Sequence, residues 1–304
     1  MSVRQILLSA AGSSAYVPSD GSTWSAFTSP TGSCGSIAYG NGVFVAVSGG
    51  QTNGDVSGAS HDGLTWTSGK LPISSHWQVT YGNGLFVGTA AQYTIGASSV
   101  DGINWTQRSL PLTATWNAMA YGAGLFVALG FGTSVAITSP DGITWTQRTL
   151  PVVAYWSALT YANGIFVALS GDSAASNIAA TSTDGITWTQ RTMHASLRWT
   201  SITYGASMFL ASTWTSSTSY ATSLDGISWT LRTSQPSGMY RVTYGGAYFV
   251  GVNWSNSTGI RSTDGLNWTT MTMPGSNWQA ICYGDGTFVA ASNSSKAAVS
   301  LRTS

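Results

Sequence analysis

The stretch SPDGITWTQRTLP, Ser139–Pro151, returns almost unchanged as STDGITWTQRTMH at residues 182–194. An Asp-Gly pair with a Trp four positions after the Asp occurs seven times, at intervals of 39 to 43 residues. A period of about forty residues is typical of the blades of a β-propeller. The repeated aspartates are Asp20, Asp62, Asp101, Asp141, Asp184, Asp225 and Asp264.

A second phrase alternates with the first, and YGNGLFVG at Tyr81–Gly88 represents it. Its Tyr recurs seven times, and a Phe follows five residues later in every copy. Asn-Gly and Asp-Gly between β-rich segments indicate tight hairpins, so each period supplies four antiparallel strands. The sequence predicts an all-β, seven-bladed propeller with one domain over residues 1–304. The termini are expected to share the closing blade, because this removes open sheet edges.

The composition narrows the function classes. Only 7% of the residues are charged, the formal net charge is +1, and there is no Glu. This balance gives no electrostatic reason to expect a nucleic-acid partner, and no apolar run is long enough for membrane insertion. The two cysteines occupy different repeat positions, and the three histidines stand apart. We therefore expect no disulfide framework, no metal site and no cofactor.

STDGITWT, SVDGINWT and SLDGISWT resemble the Asp-box hairpin of sialidase-like propellers, Ser-x-Asp-x-Gly-x-x-Trp, except that no residue separates Asp from Gly here. The resemblance implies a propeller but no activity, because the Asp-boxes of that family are structural and remote from its catalytic centres. The fuller repeat also resembles propellers of bacteriophage tail and virion proteins. That resemblance implies a virion-associated or extracellular surface location.

The alternating direction of the four strands in each blade predicts at which end of the ring a binding site would lie. Both tight turns of each period fall at one end of the ring, so the longer, irregular connections fall at the other, where binding residues are expected. Aromatic residues that break the repeat among Ser, Thr and Asn suit a sugar, and nearby arginines suit an acidic group. The candidate ligand-binding residues are Trp214, Trp254, Tyr220, Tyr93, Arg198 and Arg241.

A further aromatic set precedes the repeated Tyr by four or five residues, where each blade begins. It comprises Trp77, Trp116, Trp156, Trp199, Tyr240 and Trp278. One interpretation places these rings around the mouth of the central channel. The other places them in the packing between blades, where large aromatic side chains are usually found.

The small number of candidate catalytic acids and bases argues against an enzyme. A glycosidase needs two catalytic carboxyl groups, and beyond the seven repeated aspartates only Asp55, Asp172 and Asp285 remain. The predicted function is a non-catalytic module that recognises a carbohydrate or host surface, with a glycan or cell-surface polysaccharide as its partner. The alternative is an assembly propeller that contacts other virion or surface proteins. A glycoside hydrolase is the third possibility.

Overall fold

The computed structural model describes residues 24–27, 29, 31–50, 54–171, 173–214, 218–233, 239–292 and 298–302. Twenty-eight strands form seven four-stranded antiparallel sheets, which are the blades of a β-propeller. Within the described residues no helix is long and apolar enough to span a membrane.

Six blades are each made from one continuous stretch of chain, and their strands pair in sequence order. Blades 1 to 3 consist of β2 (Cys34–Gly40), β3 (Val43–Ser48), β4 (Val56–Ser60) and β5 (Thr67–Lys70); β6 (Trp77–Gly82), β7 (Leu85–Ala90), β8 (Tyr93–Ser99) and β9 (Thr106–Ala114); and β10 (Trp116–Gly122), β11 (Leu125–Gly130), β12 (Thr133–Ser139) and β13 (Thr146–Ala154). Blades 4 to 6 consist of β14 (Trp156–Ala162), β15 (Ile165–Ser170), β16 (Ser176–Ser182) and β17 (Thr189–Leu197); β18 (Trp199–Gly205), β19 (Met208–Thr213), β20 (Tyr220–Ser223) and β21 (Thr230–Arg232); and β22 (Arg241–Gly245), β23 (Tyr248–Val252), β24 (Thr258–Ser262) and β25 (Thr269–Thr272).

The remaining sheet is a composite of both chain ends. It contains β26 (Trp278–Gly284), β27 (Thr287–Ser292) and β28 (Ala298–Arg302), and its outer strand is β1 (Ser25–Phe27). Among the described residues of the N-terminal part of the chain, Ser25–Phe27 pair with β28 in this sheet. The sequence predicted seven blades with the closing one shared by both termini, and the structure has six continuous blades and one composite sheet. The Asp20 turn lies outside the described residues.

Each first strand lines the channel, and each second strand is buried along almost its whole length. The repeated Tyr and Phe face each other across the first hairpin, as Tyr121 and Phe126 do with ring centroids 4.7 Å apart. The Phe is completely buried in every blade, at Phe44, Phe86, Phe126, Phe166, Phe209, Phe249 and Phe288. The repeat therefore fixes the core by placing the same aromatic pair in every blade.

Glycine after the repeated Tyr allows neighbouring blades to approach closely. A β-carbon on Gly122 would lie 2.0 Å from Cγ of Tyr161, the repeated Tyr of the next blade. The same contact joins Gly40 to Tyr81, Gly82 to Tyr121, Gly205 to Tyr244, Gly245 to Tyr283 and Gly284 to Tyr39. Because Gly284 belongs to the composite sheet and Tyr39 to blade 1, this contact also closes the ring.

The described Asp-Gly turns share one hydrogen-bonded arrangement, which Asp184 illustrates. Oδ1 of Asp184 accepts bonds from the backbone N–H groups of Ile186 and Thr187, both at 2.8 Å. Ser182 Oγ donates to the same oxygen at 2.8 Å and accepts from the N–H of Gly185. The carboxylate thus satisfies its own turn, as the sequence suggested for a structural Asp.

Removing the Asp184 carboxylate is expected to weaken stability in a pH-dependent way. The N–H groups of Thr187 and then Ile186 lower the pKa of Asp184 to about 2, whereas an Asp in an unfolded chain titrates near 4. A lowered native pKa gives stabilisation that is complete above about pH 4 and lost as the pH falls towards 2. Urea midpoints of wild type and Asp184→Asn should therefore differ at pH 7 and converge near pH 2. A pH-independent difference would contradict this assignment.

Candidate functional site

Two cavities lie along the axis of the ring. The larger, about 440 Å³, is the central channel lined by the first strands of the blades and the composite sheet. The smaller, about 340 Å³, opens where second strands connect to third strands and where one blade crosses to the next. We call this end the loop end and the smaller space the loop-end cavity. Residues from all six continuous blades and from the composite sheet line it, including Gln78, Asn117, Arg241 and Gln279.

Three aromatic rings from blades 5 and 6 form one cluster at the loop end. Trp214 packs edge-on against Tyr240 with ring centroids 5.1 Å apart, and its centroid lies 5.9 Å from that of Trp254. Tyr240 and Trp254 complete the triangle at 5.3 Å. Tyr240 is buried, whereas the two tryptophans are half-buried. We call these three residues the aromatic cluster.

Backbone hydrogen bonds hold the cluster on the scaffold. The N–H of Trp214 donates to the carbonyl of Arg198, which ties the loop of blade 5 to the preceding crossover. The N–H of Tyr240 donates to the carbonyl of Val252 within blade 6. The carbonyl of Trp254 accepts from the N–H of Asn277 in the next crossover. The rings are therefore positioned by three crossing segments and not by one loop.

Two arginines lie against the aromatic cluster. Cζ of Arg198 lies 4.3 Å from the ring centroid of Trp214, and Cζ of Arg241 lies 4.3 Å from that of Tyr240. Both distances are within the range of cation–π attraction. Arg241 Nε donates to the carbonyl of Gln279, Nη1 to the carbonyl of Thr200, and Nη2 to the hydroxyl of Tyr240. This arginine therefore bridges blades 5 and 6 and the composite sheet.

His76 lies in the same cavity but carries little positive charge at neutral pH. Its burial and the charge of Arg241 both lower the pKa of the imidazole. Nε2 of His76 lies 3.4 Å from Nε2 of Gln78, a contact that suits a neutral ring accepting a hydrogen bond. The positive charge of the described cavity therefore rests on Arg198 and Arg241.

The structure brings together four of the six candidate ligand-binding residues: Trp214 and Trp254 in the cluster, and Arg198 and Arg241 beside it. Tyr220 is placed differently from the prediction, since it is completely buried and packs edge-on against Trp268 at 5.8 Å. Tyr93 is 45% exposed at the start of β8, but it does not line the loop-end cavity.

The tryptophans proposed for the channel mouth do not line it. Trp77, Trp116, Trp156, Trp199 and Trp278 are all at most 1% exposed and lie in the core between blades. The indole N–H groups of four of them donate to nearby backbone carbonyls, as Trp156 does to Thr133 at 3.0 Å. The other interpretation, packing between blades, is therefore the correct one for this set. Tyr240 is the exception, because it faces the cavity from the same position.

Sequence reasoning missed the polar side chains of the cavity. Gln78, Asn117 and Gln279 each follow directly after a buried Trp and are half-buried at the beginning of a first strand. The alternation of side chains along a strand could have identified them, since a residue next to a core-facing Trp points away from the core.

The described residues contain no group of three or more His, Cys, Asp or Glu side chains that could hold a metal ion. Cys34 and Cys282 are both free thiols in the seam between the composite sheet and blade 1. Burial raises the pKa of Cys34 to about 12, which keeps this thiol protonated and unreactive.

The fold and the cavity define a β-propeller with an arginine- and aromatic-lined loop end. The sequence matches no family model and no curated protein. The fold is similar to a streptogramin B lyase (TM-score 0.78, 10% identity, 91% of this chain and 97% of that one). It is also similar to virginiamycin B lyase from Staphylococcus aureus (0.78, 12%, 92% and 98%) and to YCF48 bound to a D1 peptide (0.73, 16%, 95% and 98%). At these identities the similarity shows the fold alone.

These similarities correct three expectations from the sequence. The similar structures named above are lyases and a peptide-bound propeller, and none of them is a sialidase-type or phage virion protein. These structures also do not support the expected function of a non-catalytic carbohydrate-binding module. The lyases show that a propeller of this fold can carry an enzyme, so the expectation of a non-enzyme does not stand.

Proposed function

We propose that the chain binds a segment of another protein at its loop end, against the aromatic cluster and the two arginines. The observation that carries this proposal is that Trp214, Tyr240, Arg198 and Arg241 line one cavity, with Trp254 packed against the two aromatic rings. Tryptophan, tyrosine and arginine are the residues that most often dominate the energetics of protein interfaces. A cavity of about 340 Å³ is within the usual size range of binding pockets.

The polar rim supports a peptide as the bound segment. The side-chain amides of Gln78, Asn117 and Gln279 offer both donors and acceptors, which match the N–H and C=O groups of an extended backbone. The aromatic cluster would take an apolar side chain at the same time. The peptide-bound structure of YCF48 shows that a propeller of similar fold holds a peptide, and this agrees with the proposal.

Selection from a phage-displayed library of random peptides, with the purified chain as bait, tests this proposal. We expect selected peptides to bind with a Kd of about 1–100 µM, and Trp214→Ser or Trp254→Ser to weaken binding at least about tenfold, since truncated interface tryptophans commonly lose more than 1.4 kcal/mol. Isothermal titration calorimetry on folded variants measures both effects.

Tyr93→Ser is the matched control, because Tyr93 is an exposed aromatic at the loop end outside the cavity. It should leave peptide affinity unchanged. A library that yields no binder, or binders that are insensitive to both tryptophan substitutions, would rule out this site as the docking surface.

A further inference from the structure

We infer that the loop-end cavity recognises a carboxylate, supplied either by the C-terminus of the bound segment or by an acidic side chain within it. The inference rests on the proposed function, because it names the chemical group that this binding site selects. It is carried by the hydrogen bonding of Arg241, the charge of the cavity and the residues that surround the guanidinium.

Arg241 is held in place and still has donors to offer. A guanidinium carries five N–H groups, and those of Arg241 donate to the carbonyls of Gln279 and Thr200 and to the hydroxyl of Tyr240. Two N–H groups, one on each terminal nitrogen, are left for a ligand. The three existing bonds fix the plane of the group, so little side-chain entropy would be lost when an anion binds.

Arg241 gives the described part of the cavity positive charge. None of its described lining residues is acidic, and the partners of Arg241 are neutral oxygens. Arg198 adds a second positive charge over Trp214.

The surroundings favour a carboxylate over a larger anion. The planar N–H groups of a guanidinium suit the two oxygens of a carboxylate, and this pairing is the geometry of the strongest arginine contacts. Tyr240 covers one side of the Arg241 guanidinium, and the aromatic cluster continues from it. An apolar residue next to the carboxylate would therefore meet Trp214 or Trp254, which places the acid within a peptide better than as a free inorganic ion.

Three small probes test the inference without a known partner: N-acetylphenylalanine, its carboxamide, and N-acetyl-aspartyl-phenylalaninamide. The first presents a terminal carboxylate, the second presents none, and the third presents a side-chain carboxylate. By ligand-observed NMR we expect at least one acid to bind the wild-type chain with a Kd of about 1 mM, and the carboxamide to bind at least about tenfold more weakly. Whichever acid binds more tightly identifies the source of the group.

Arg241→Met should abolish the preference for the acid over the carboxamide. Because Arg241 also bridges neighbouring segments, Arg198→Met provides a second variant that leaves the hydrogen bonds of Arg241 in place, and it should reduce the preference. Arg261→Met is the matched control, since Arg261 lies over Tyr248, 5.4 Å from its ring centroid, outside the cavity. This variant should bind all three probes as the wild type does.

The outcomes separate this inference from the proposed function. Equal binding of acids and carboxamide, absence of acid binding, or tighter binding of phenylphosphonate than of the acids would overturn the carboxylate assignment. Library peptides that bind at the aromatic cluster but carry no acid at the contact would also overturn it, while leaving the peptide-binding function intact. A clear preference for the acids with no selectable peptide would uphold the carboxylate site and refute the peptide-binding function.

Discussion

Trp156→Ala is expected to lower the free energy of unfolding by about 3–5 kcal/mol, the usual loss when a large buried aromatic is truncated. Trp156 is completely buried and packs with Val127, Leu129 and Phe166 in one core cluster. Its indole N–H also satisfies the carbonyl of Thr133 at 3.0 Å, and the substitution would leave that carbonyl without this donor. Urea unfolding followed by far-ultraviolet circular dichroism measures the change.

Trp214→Ala is the matched comparison, since Trp214 is half-buried at the loop end and outside the core clusters. It should cost less than about 1 kcal/mol, as is usual for substitutions near the surface. Together the two variants separate a structural tryptophan from a binding one. Similar losses of stability in both would show that the aromatic cluster belongs to the core, and the proposed docking site would lose its basis.

The fold could largely be predicted from the repeat, because one sequence pattern specifies every blade. A Tyr, a tight turn and a Phe five residues later place the ring pair on one face of a hairpin, and this follows directly from side-chain alternation. The sequence also predicted that the two chain ends share the closing sheet, but not which strands each end supplies. This division depends on β1 pairing with β28 across almost the whole length of the chain, and no local pattern encodes such a contact.

Part of the candidate site at the loop end could also be predicted, for a different reason. Trp214 and Trp254 interrupt the repeat in loops, where no core position requires an aromatic residue, so they were identifiable. Tyr220 also interrupts the repeat, but it lies within β20. Both Tyr220 and its neighbour Ala221 are buried there, as are the residues at the same positions in the third strands of other blades. The loop of Trp214 and the buried position of Tyr220 are separated by the point at which β20 begins. Tertiary pairing, and not the local sequence, sets this boundary.

The glycine after the repeated Tyr provides the other large expected effect. Gly122→Val should lower the free energy of unfolding by about 3 kcal/mol, because overpacking a tight contact forces the backbone or side chains to shift. A β-carbon there would meet Tyr161 at 2.0 Å, and that ring belongs to the adjacent blade, itself confined by Phe166 at a centroid distance of 4.6 Å. Neither of these two rings can move without separating blades 3 and 4. Thermal and urea unfolding of the variant measure the loss.

Blade 4 shows how far this seam can yield, because it carries Ala162 at the equivalent position. Ala162 is half-buried, whereas Gly122 is buried, so that seam has already adjusted to a methyl group. Gly122→Ala should therefore be milder than Gly122→Val, and Ala162→Gly should be nearly neutral. Gly275→Ala is the control, since the nearest atom to a β-carbon there is 3.8 Å away. If Gly122→Val were as stable as Gly275→Ala, close approach between blades would not be what selects glycine in this repeat.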